Sequence, residues 1–122
     1  MKRVLLVDDI DFNLEFEIKL IKNIMDEKDL DIHIDTATNV ANANDLIALN
    51  RYDAMIVDMN LPDGSGMDIA KVAREKQPDA KIAALTIYPS QYEDQKEYFD
   101  MFMKKPIMLD SYKDNFLKLL QI

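Results

Sequence analysis

Four short apolar runs in this chain each lead to a residue that can do chemistry. Val4–Val7 runs into Asp8 and Asp9, Ala54–Val57 into Asp58, Ile82–Leu85 into Thr86, and Met101–Met103 stands two residues before Lys105. Carboxylates brought to one place repel and raise one another's pKa unless something positive joins them. A hard divalent cation answers that need with oxygen ligands, and Mg²⁺ takes one or two carboxylates plus waters and phosphate oxygens. Lys105 adds a point charge suited to a phosphoryl oxygen. Thr86 adds a hydroxyl donor. A carboxylate nucleophile, a metal, a lysine and a hydroxyl are the parts needed for phosphoryl transfer to an aspartate. Asp58 ends the central run and is the best placed nucleophile.

Those residues can meet only if the runs lie side by side. Each of the first three central runs is continuously apolar, as expected of strands covered on both faces. Between the first two lies a helical stretch over 11–27, with Leu14, Ile18, Ile21 and Met25 on one face and Glu15, Glu17, Lys19 and Lys22 between them. Ile32-His33-Ile34-Asp35 alternates, which predicts a half-exposed edge strand with His33 facing solvent. Asn39 is placed to N-cap a helix running to about Leu49. After a Pro-Asp-Gly-Ser-Gly turn, Met67, Ala70, Val72 and Ala73 carry a helix to about Lys76, which Pro78 stops. A short polar helix over 90–99 and a closing helix over 110–120, with Phe116, Leu117 and Leu120 on one side, complete five strand–helix units. Such alternation predicts an α/β fold with a parallel sheet and helices on both faces. The second and fifth strands are the least hydrophobic, so they take the edges. The expected order is the flavodoxin-like, doubly wound 2-1-3-4-5. Ligands of such sheets bind beyond the carboxyl ends of the strands, where Asp8, Asp9, Asp58, Thr86 and Lys105 all stand.

Composition narrows the function further. The 122 residues suit one domain over 1–122, and 48% apolar content argues against disorder. Without cysteine there is no disulfide, thiolate zinc site or thiol catalysis. Fifteen basic against 23 acidic residues give a formal charge of −8, which speaks against direct nucleic acid binding. The only two glycines, Gly64 and Gly66, are too few and too late for a phosphate-cradling loop, and the first strand is followed by Asp8-Asp9-Ile10-Asp11. No apolar run reaches the roughly 20 residues of a membrane helix. Met1-Lys2-Arg3 leads into only four apolar residues before two aspartates, unlike a signal peptide, so no membrane association and a cytoplasmic location are expected. The eight methionines read as core filler.

Over nearly its whole length the sequence resembles the receiver domain of two-component response regulators, of the single-domain chemotaxis-regulator kind. The resemblance rests on Val4-Leu5-Leu6-Val7-Asp8-Asp9, Ile56 through Gly66, Ala84-Leu85-Thr86 and Lys105-Pro106, in that order. It implies that Asp58 accepts a phosphoryl group from a histidine kinase or phosphotransfer protein. It implies a Mg²⁺ site with Asp9 as direct ligand, Asp8 beside it, Asp58, and the backbone carbonyl of Asn60. Thr86 and Lys105 would contact the phosphoryl group, and the Lys105–Pro106 bond would be cis. The family's switch couples a hydroxyl, here Thr86, to an aromatic residue, here Phe102. The output would be a downstream protein or homodimer docking on the 90–122 face, which carries Tyr92, Tyr98, Lys104 and Tyr112. Such a domain is a phosphoacceptor that assists its own phosphorylation and slow dephosphorylation, and is not an enzyme in its own right.

Two departures stand out. Ile87 occupies a position that is usually small, which would narrow access to Asp58, and Phe99-Asp100 replaces the usual Gly-Ala. Two other readings compete. A degenerate receiver would serve only as a phosphorylation-independent binding module. A hydrolase of the haloacid dehalogenase kind also uses an aspartate nucleophile with Mg²⁺, but wants a second aspartate where this chain has Asn60. No output domain follows Ile122, which suits both a stand-alone protein acting by docking and a piece of a longer chain.

Overall fold

The apolar runs become strands and the periodic stretches helices. In the computed structural model, which describes residues 1–89, 94 and 96–122, the elements are β1 (Lys2–Val7), α1 (Asp11–Lys28), β2 (Ile32–Ala37), α2 (Val40–Leu49), β3 (Ala54–Asp58), α3 (Gly66–Lys76), β4 (Lys81–Thr86), β5 (Met101–Lys104) and α4 (Leu109–Leu120). All strand pairs are parallel and the order is β2-β1-β3-β4-β5. That is the order expected from which strands are least apolar. The expected helix over 90–99, with Tyr92, falls largely outside the described residues, of which 96–98 form a turn.

Alternate residues of the central strands feed two cores. Val4 and Leu6 of β1, Ile56 of β3 and Leu85 of β4 pack under α1 and α4 with Leu14, Ile21 and Phe116. Leu5 and Val7, Met55 and Val57, and Ile82 pack on the other face under α2 and α3 with Ala43, Ile47 and Ile69. Fully burying one such side chain contributes about 1.5–3 kcal/mol, so these two layers dominate the stability.

Helix starts are defined by short polar side chains. Asn39 caps α2 as expected, its Oδ1 accepting from Asn42 N–H at 2.8 Å. Asp63 adds a second anchor from the loop after β3, accepting from the N–H groups of Val40 (2.7 Å) and Ala41 (3.0 Å). Ser65 and Asp68 form a capping box at α3. These bonds hold the turn after Asp58 to the neighbouring unit.

Two side chains lie elsewhere than their sequence context predicts. Glu17 is not on the solvent face of α1: the buried stripe runs Leu14, Glu17, Leu20, Ile21 and Ile24. Residues 17 and 18 lie about 100° apart around the helix, and the helix turns the 17 side inward, leaving Ile18 half-buried at the edge of the stripe. Tyr112 likewise does not present an aromatic anchor at the surface; it is 2% exposed and faces α1. Lys104 is exposed, while Tyr98 is half-buried against α3 with the Lys71 ammonium 5.8 Å from its ring.

Gly66, the first residue of α3, lies tight under the strand that carries Asp58. A Cβ built there would sit 2.7 Å from the backbone oxygen of Asp58 and 3.0 Å from both Met59 Sδ and Val57 Cγ2. Backbone cannot yield as a side-chain tip can. At Gly64 the closest atom is only the Asp68 carboxylate tip. Gly66→Ala is therefore expected to lower stability by about 1–3 kcal/mol, as overpacking does, and Gly64→Ala by less. Urea midpoints of the two variants check this; equal losses would show that α3 has room to shift.

Candidate functional site

Strand register assembles the site. Val7 of β1 pairs with Val57 of β3, so the next residue of each strand, Asp8 and Asp58, emerges beside the other. Thr86 pairs with Lys104, and Lys105 N–H donates to the Thr86 carbonyl at 2.8 Å, which brings Lys105 to the same rim. Carboxylate oxygens of Asp8, Asp9 and Asp58 lie within 4.8 Å of one another. The Lys105–Pro106 peptide is cis.

The burial of the three acids differs. Asp8 is fully buried and Asp58 is 6% exposed, whereas Asp9 is at the surface. Asp8 is saturated with donors: Ile10 N–H at 3.0 Å, Asn13 Nδ2 at 3.2 and 3.4 Å, and Lys105 Nζ at 3.4 Å. Asp58 accepts from Lys105 Nζ at 3.0 Å and from Asn60 N–H at 3.3 Å. The Thr86 hydroxyl accepts from Tyr88 N–H at 3.2 Å. Asp9, Ile10, Asp58, Asn60, Thr86, Ile87, Tyr88 and Lys105 line a cleft of about 440 Å³, behind which Asp8 is sealed.

Burial pushes the Asp58 carboxyl above its ordinary value of 3.8, and the Asp8 charge adds to this. The bond and charge of Lys105 and the Asn60 N–H oppose it. Burial works to lower the Lys105 ammonium, yet Asp58 and then Asp8 hold its pKa above the usual 10.5. Lysine thus stays charged. Three carboxylates against one ammonium leave −3 + 1 = −2. Hard oxygen donors with a deficit of two charges fit a divalent cation, and they fit Mg²⁺ or a relative better than a soft metal. Asp9 and Asp58, open to the cleft, would hold it, with Asp8 behind them. An apolar wall borders the cleft: Phe12, Phe16, Ile87, Pro106 and Ile107 share Lys105 with it, and Phe12 is 72% exposed.

Of the residues singled out in the sequence, Asp8, Asp9, Asp58, Asn60, Thr86 and Lys105 meet here. Phe102 does not line the cleft. It lies half-buried on edge strand β5 with its ring centroid 5.5 Å from that of Phe99, in the core layer under α2 and α3. His33 is exposed on β2 and contacts Asp35 at 2.8 Å. Asn13 was not foreseen. Its position early in α1, five residues after Asp8, is the one signal that could have found it.

The receiver domain model of response regulators matches residues 4–118. The chain is 38% identical over 55 residues to the response regulator protein PilR of Pseudomonas aeruginosa, an overlap covering 45% of this chain and 12% of that one. So it spans about an eighth of that relative's length. Among solved structures it is similar to the response regulator protein TrrA of Thermotoga maritima, in complex with Mg²⁺ and BeF. That match has 34% identity, covers 98% of this chain and 100% of that one, and has a TM-score of 0.78. The chemotaxis response regulator CheY4 of Vibrio cholerae shares the fold, with 21% identity, coverage of 98% and 99% and a TM-score of 0.85.

The electrostatics carry a sign that titration can check. The folded pKa of Asp58 lies above its unfolded value, so its contribution to stability is greatest below about pH 3.8 and is lost as pH rises through the folded value. Followed by ¹³C-carboxyl NMR in metal-free protein, Asp58 should titrate above 3.8, and Lys105→Ala should move it higher. A midpoint that the lysine variant leaves unmoved would mean that the ammonium does not govern this acid.

Proposed function

The chain belongs to the response regulator receiver domain family, and on that premise we propose that Asp58 accepts a phosphoryl group from a phosphohistidine of a kinase or phosphotransfer protein. The observation that carries this reading is the Asp58–Lys105 contact at 3.0 Å beside two further carboxylates, at the floor of an open cleft. One carboxylate oxygen of Asp58 attacks phosphorus as the donor's P–N bond breaks, and the imidazole leaves with that electron pair. The pair is then protonated from solvent. Lys105 stays charged and offers its ammonium to the incoming phosphoryl oxygens. Thr86 exchanges its bond from Tyr88 for one that its own hydroxyl donates to the phosphoryl group. Asp9, Asp58 and the Asn60 carbonyl would hold Mg²⁺, with Asp8 behind, and the ion would neutralise charge on the phosphoryl oxygens. The Mg²⁺ and BeF carried by the Thermotoga maritima relative support this reading.

The exposed apolar wall beside the cleft supports a protein as donor, since Phe12 and Ile87 offer contact area that a small phosphodonor would not use. Phosphorylation biases a pre-existing equilibrium that links Thr86 to Phe102 on β5. The affected face lies over 90–122 and serves a downstream protein or a second copy of the chain. The acidic charge of −8 favours such a protein output over direct DNA contact.

Incubated with Mg²⁺ and a small phosphodonor such as acetyl phosphate, the protein should gain the mass of one phosphoryl group, and Asp58→Asn should gain none. Labelling of that variant at the wild-type level would sink the assignment, and a wild-type protein that gains no mass would leave the binding-module reading standing.

Mg²⁺ affinity should fall as pH drops through the carboxylate range, because ligands must be deprotonated. Asp9→Ala should weaken it by tenfold or more, on the order of 1.4 kcal/mol, and more than Asp8→Asn does. Calorimetric titrations giving the two variants equal affinities would reverse the ligand order.

A further inference from the structure

Glu17 is the one charged side chain of α1 that the fold buries, at 1% exposure. It sits within the layer formed by Leu14, Leu20, Ile21 and Phe116. Its neighbours one turn away on α1 are Asn13, Leu14, Leu20 and Ile21, none of them ionisable. From α4 the Tyr112 hydroxyl reaches Glu17 Oε1 at 2.8 Å. From the strand ends Asp8, Asp58 and Lys105 act on it by charge. Tyr112 is itself 2% exposed and stacks on Phe116, with centroids 6.2 Å apart and planes at 10°. A carboxyl in such surroundings bridges two helices without strain only while it carries no charge, because one hydroxyl cannot replace a hydration shell.

We propose that Glu17 and Tyr112 form a proton-operated latch between α1 and α4, closed while Glu17 is neutral and loosened as it ionises. Burial lifts the Glu17 carboxyl from 4.5 to about 8; the Tyr112 bond lowers it, Asp8 raises it, Lys105 lowers it and Asp58 raises it. Tyr112 is pushed well above its usual 10.0 by burial and then by Glu17, so its hydroxyl keeps its proton throughout. Between about 4.5 and about 8 the folded protein holds a proton that the unfolded chain has lost. Stability from this pair is therefore complete at low pH and declines as pH rises through the folded value. The helix it releases begins at Leu109, just after Lys105–Pro106 and two further residues, so alkalinisation loosens the segment that presents Lys105 to Asp58. The latch does not depend on phosphoryl transfer, and its failure would leave that reading intact.

The test follows Glu17 by ¹³C-carboxyl NMR in the wild-type protein from pH 4 to 10, with amide signals of 109–120 recorded in parallel. Thermal midpoints of wild type, Glu17→Gln and Tyr112→Phe are measured over the same range. The Glu17 signal should titrate near 8, with the α4 amides tracking its midpoint. The wild-type thermal midpoint should fall relative to Glu17→Gln as pH rises from about 4.5 to about 8, because the glutamine keeps its shape and cannot ionise. Tyr112→Phe should move the Glu17 titration upward, because the hydroxyl bond favours the carboxylate. Titration near 4.5, α4 amides that ignore Glu17, or equal pH slopes for wild type and Glu17→Gln would each overturn the latch. If the glutamine variant does not fold, the wild-type NMR arms decide alone.

Discussion

Everything at the carboxyl edge of this sheet depends on keeping three carboxylates within 4.8 Å of one another with a single ammonium between two of them. Parallel register creates the problem, because the residues after Val7 and Val57 have nowhere to go but side by side. Lys105, delivered from the far edge strand, relieves part of it. The remaining excess of two negative charges is what suits the cleft to a hard divalent cation. The cleft is an unsatisfied electrostatic demand, held open by a rigid frame.

The frame has to be stiff because the demand is destabilising. Asp8 is saturated by Ile10, Asn13 and Lys105, so that it cannot relax away. Asp58 is pinned by Lys105 and Asn60, and from beneath by Gly66, whose missing side chain lets α3 approach the Asp58 backbone. Asp63 ties the same turn to the start of α2. Two fully buried layers on either face of the sheet supply the stability that these buried charges draw on. A site of this kind is a local loss tolerated by a larger gain elsewhere.

Lys105 also connects the two faces of the molecule. On one side its ammonium holds Asp58 and Asp8; on the other its chain runs through Pro106 into α4, which is fastened to α1 by the buried Glu17–Tyr112 bond. Charge at the cleft and packing between α1 and α4 therefore share a short mechanical path and a common electrostatic field. In the opposite direction, Thr86 leads through its pairing with Lys104 to β5 and the Phe99–Phe102 contact. The cleft thus has a route to each layer of the fold.

Much of this was legible in the residues alone. Continuous apolar runs define buried strands, their relative apolarity orders the sheet, and Asn39 marks a helix start, because each of these is a local preference of a few neighbouring residues. The motif ending each run located the cleft for the same reason: topology carries every strand end to one side. Phe102 could be placed on its strand, yet only packing showed that it faces Phe99 in the layer opposite Glu17. Glu17 and Tyr112 escaped altogether, one read as solvent-facing and the other as a surface anchor. They are separated by 95 positions, and each looks ordinary without the other. A helical period defines a buried stripe only to within about one residue, and which polar group is tolerated inside depends on a partner from another element. Sequence determined the elements and the ends where chemistry gathers; tertiary structure decided which charges are buried together, since burial and pairing are properties of contacts that no local pattern contains.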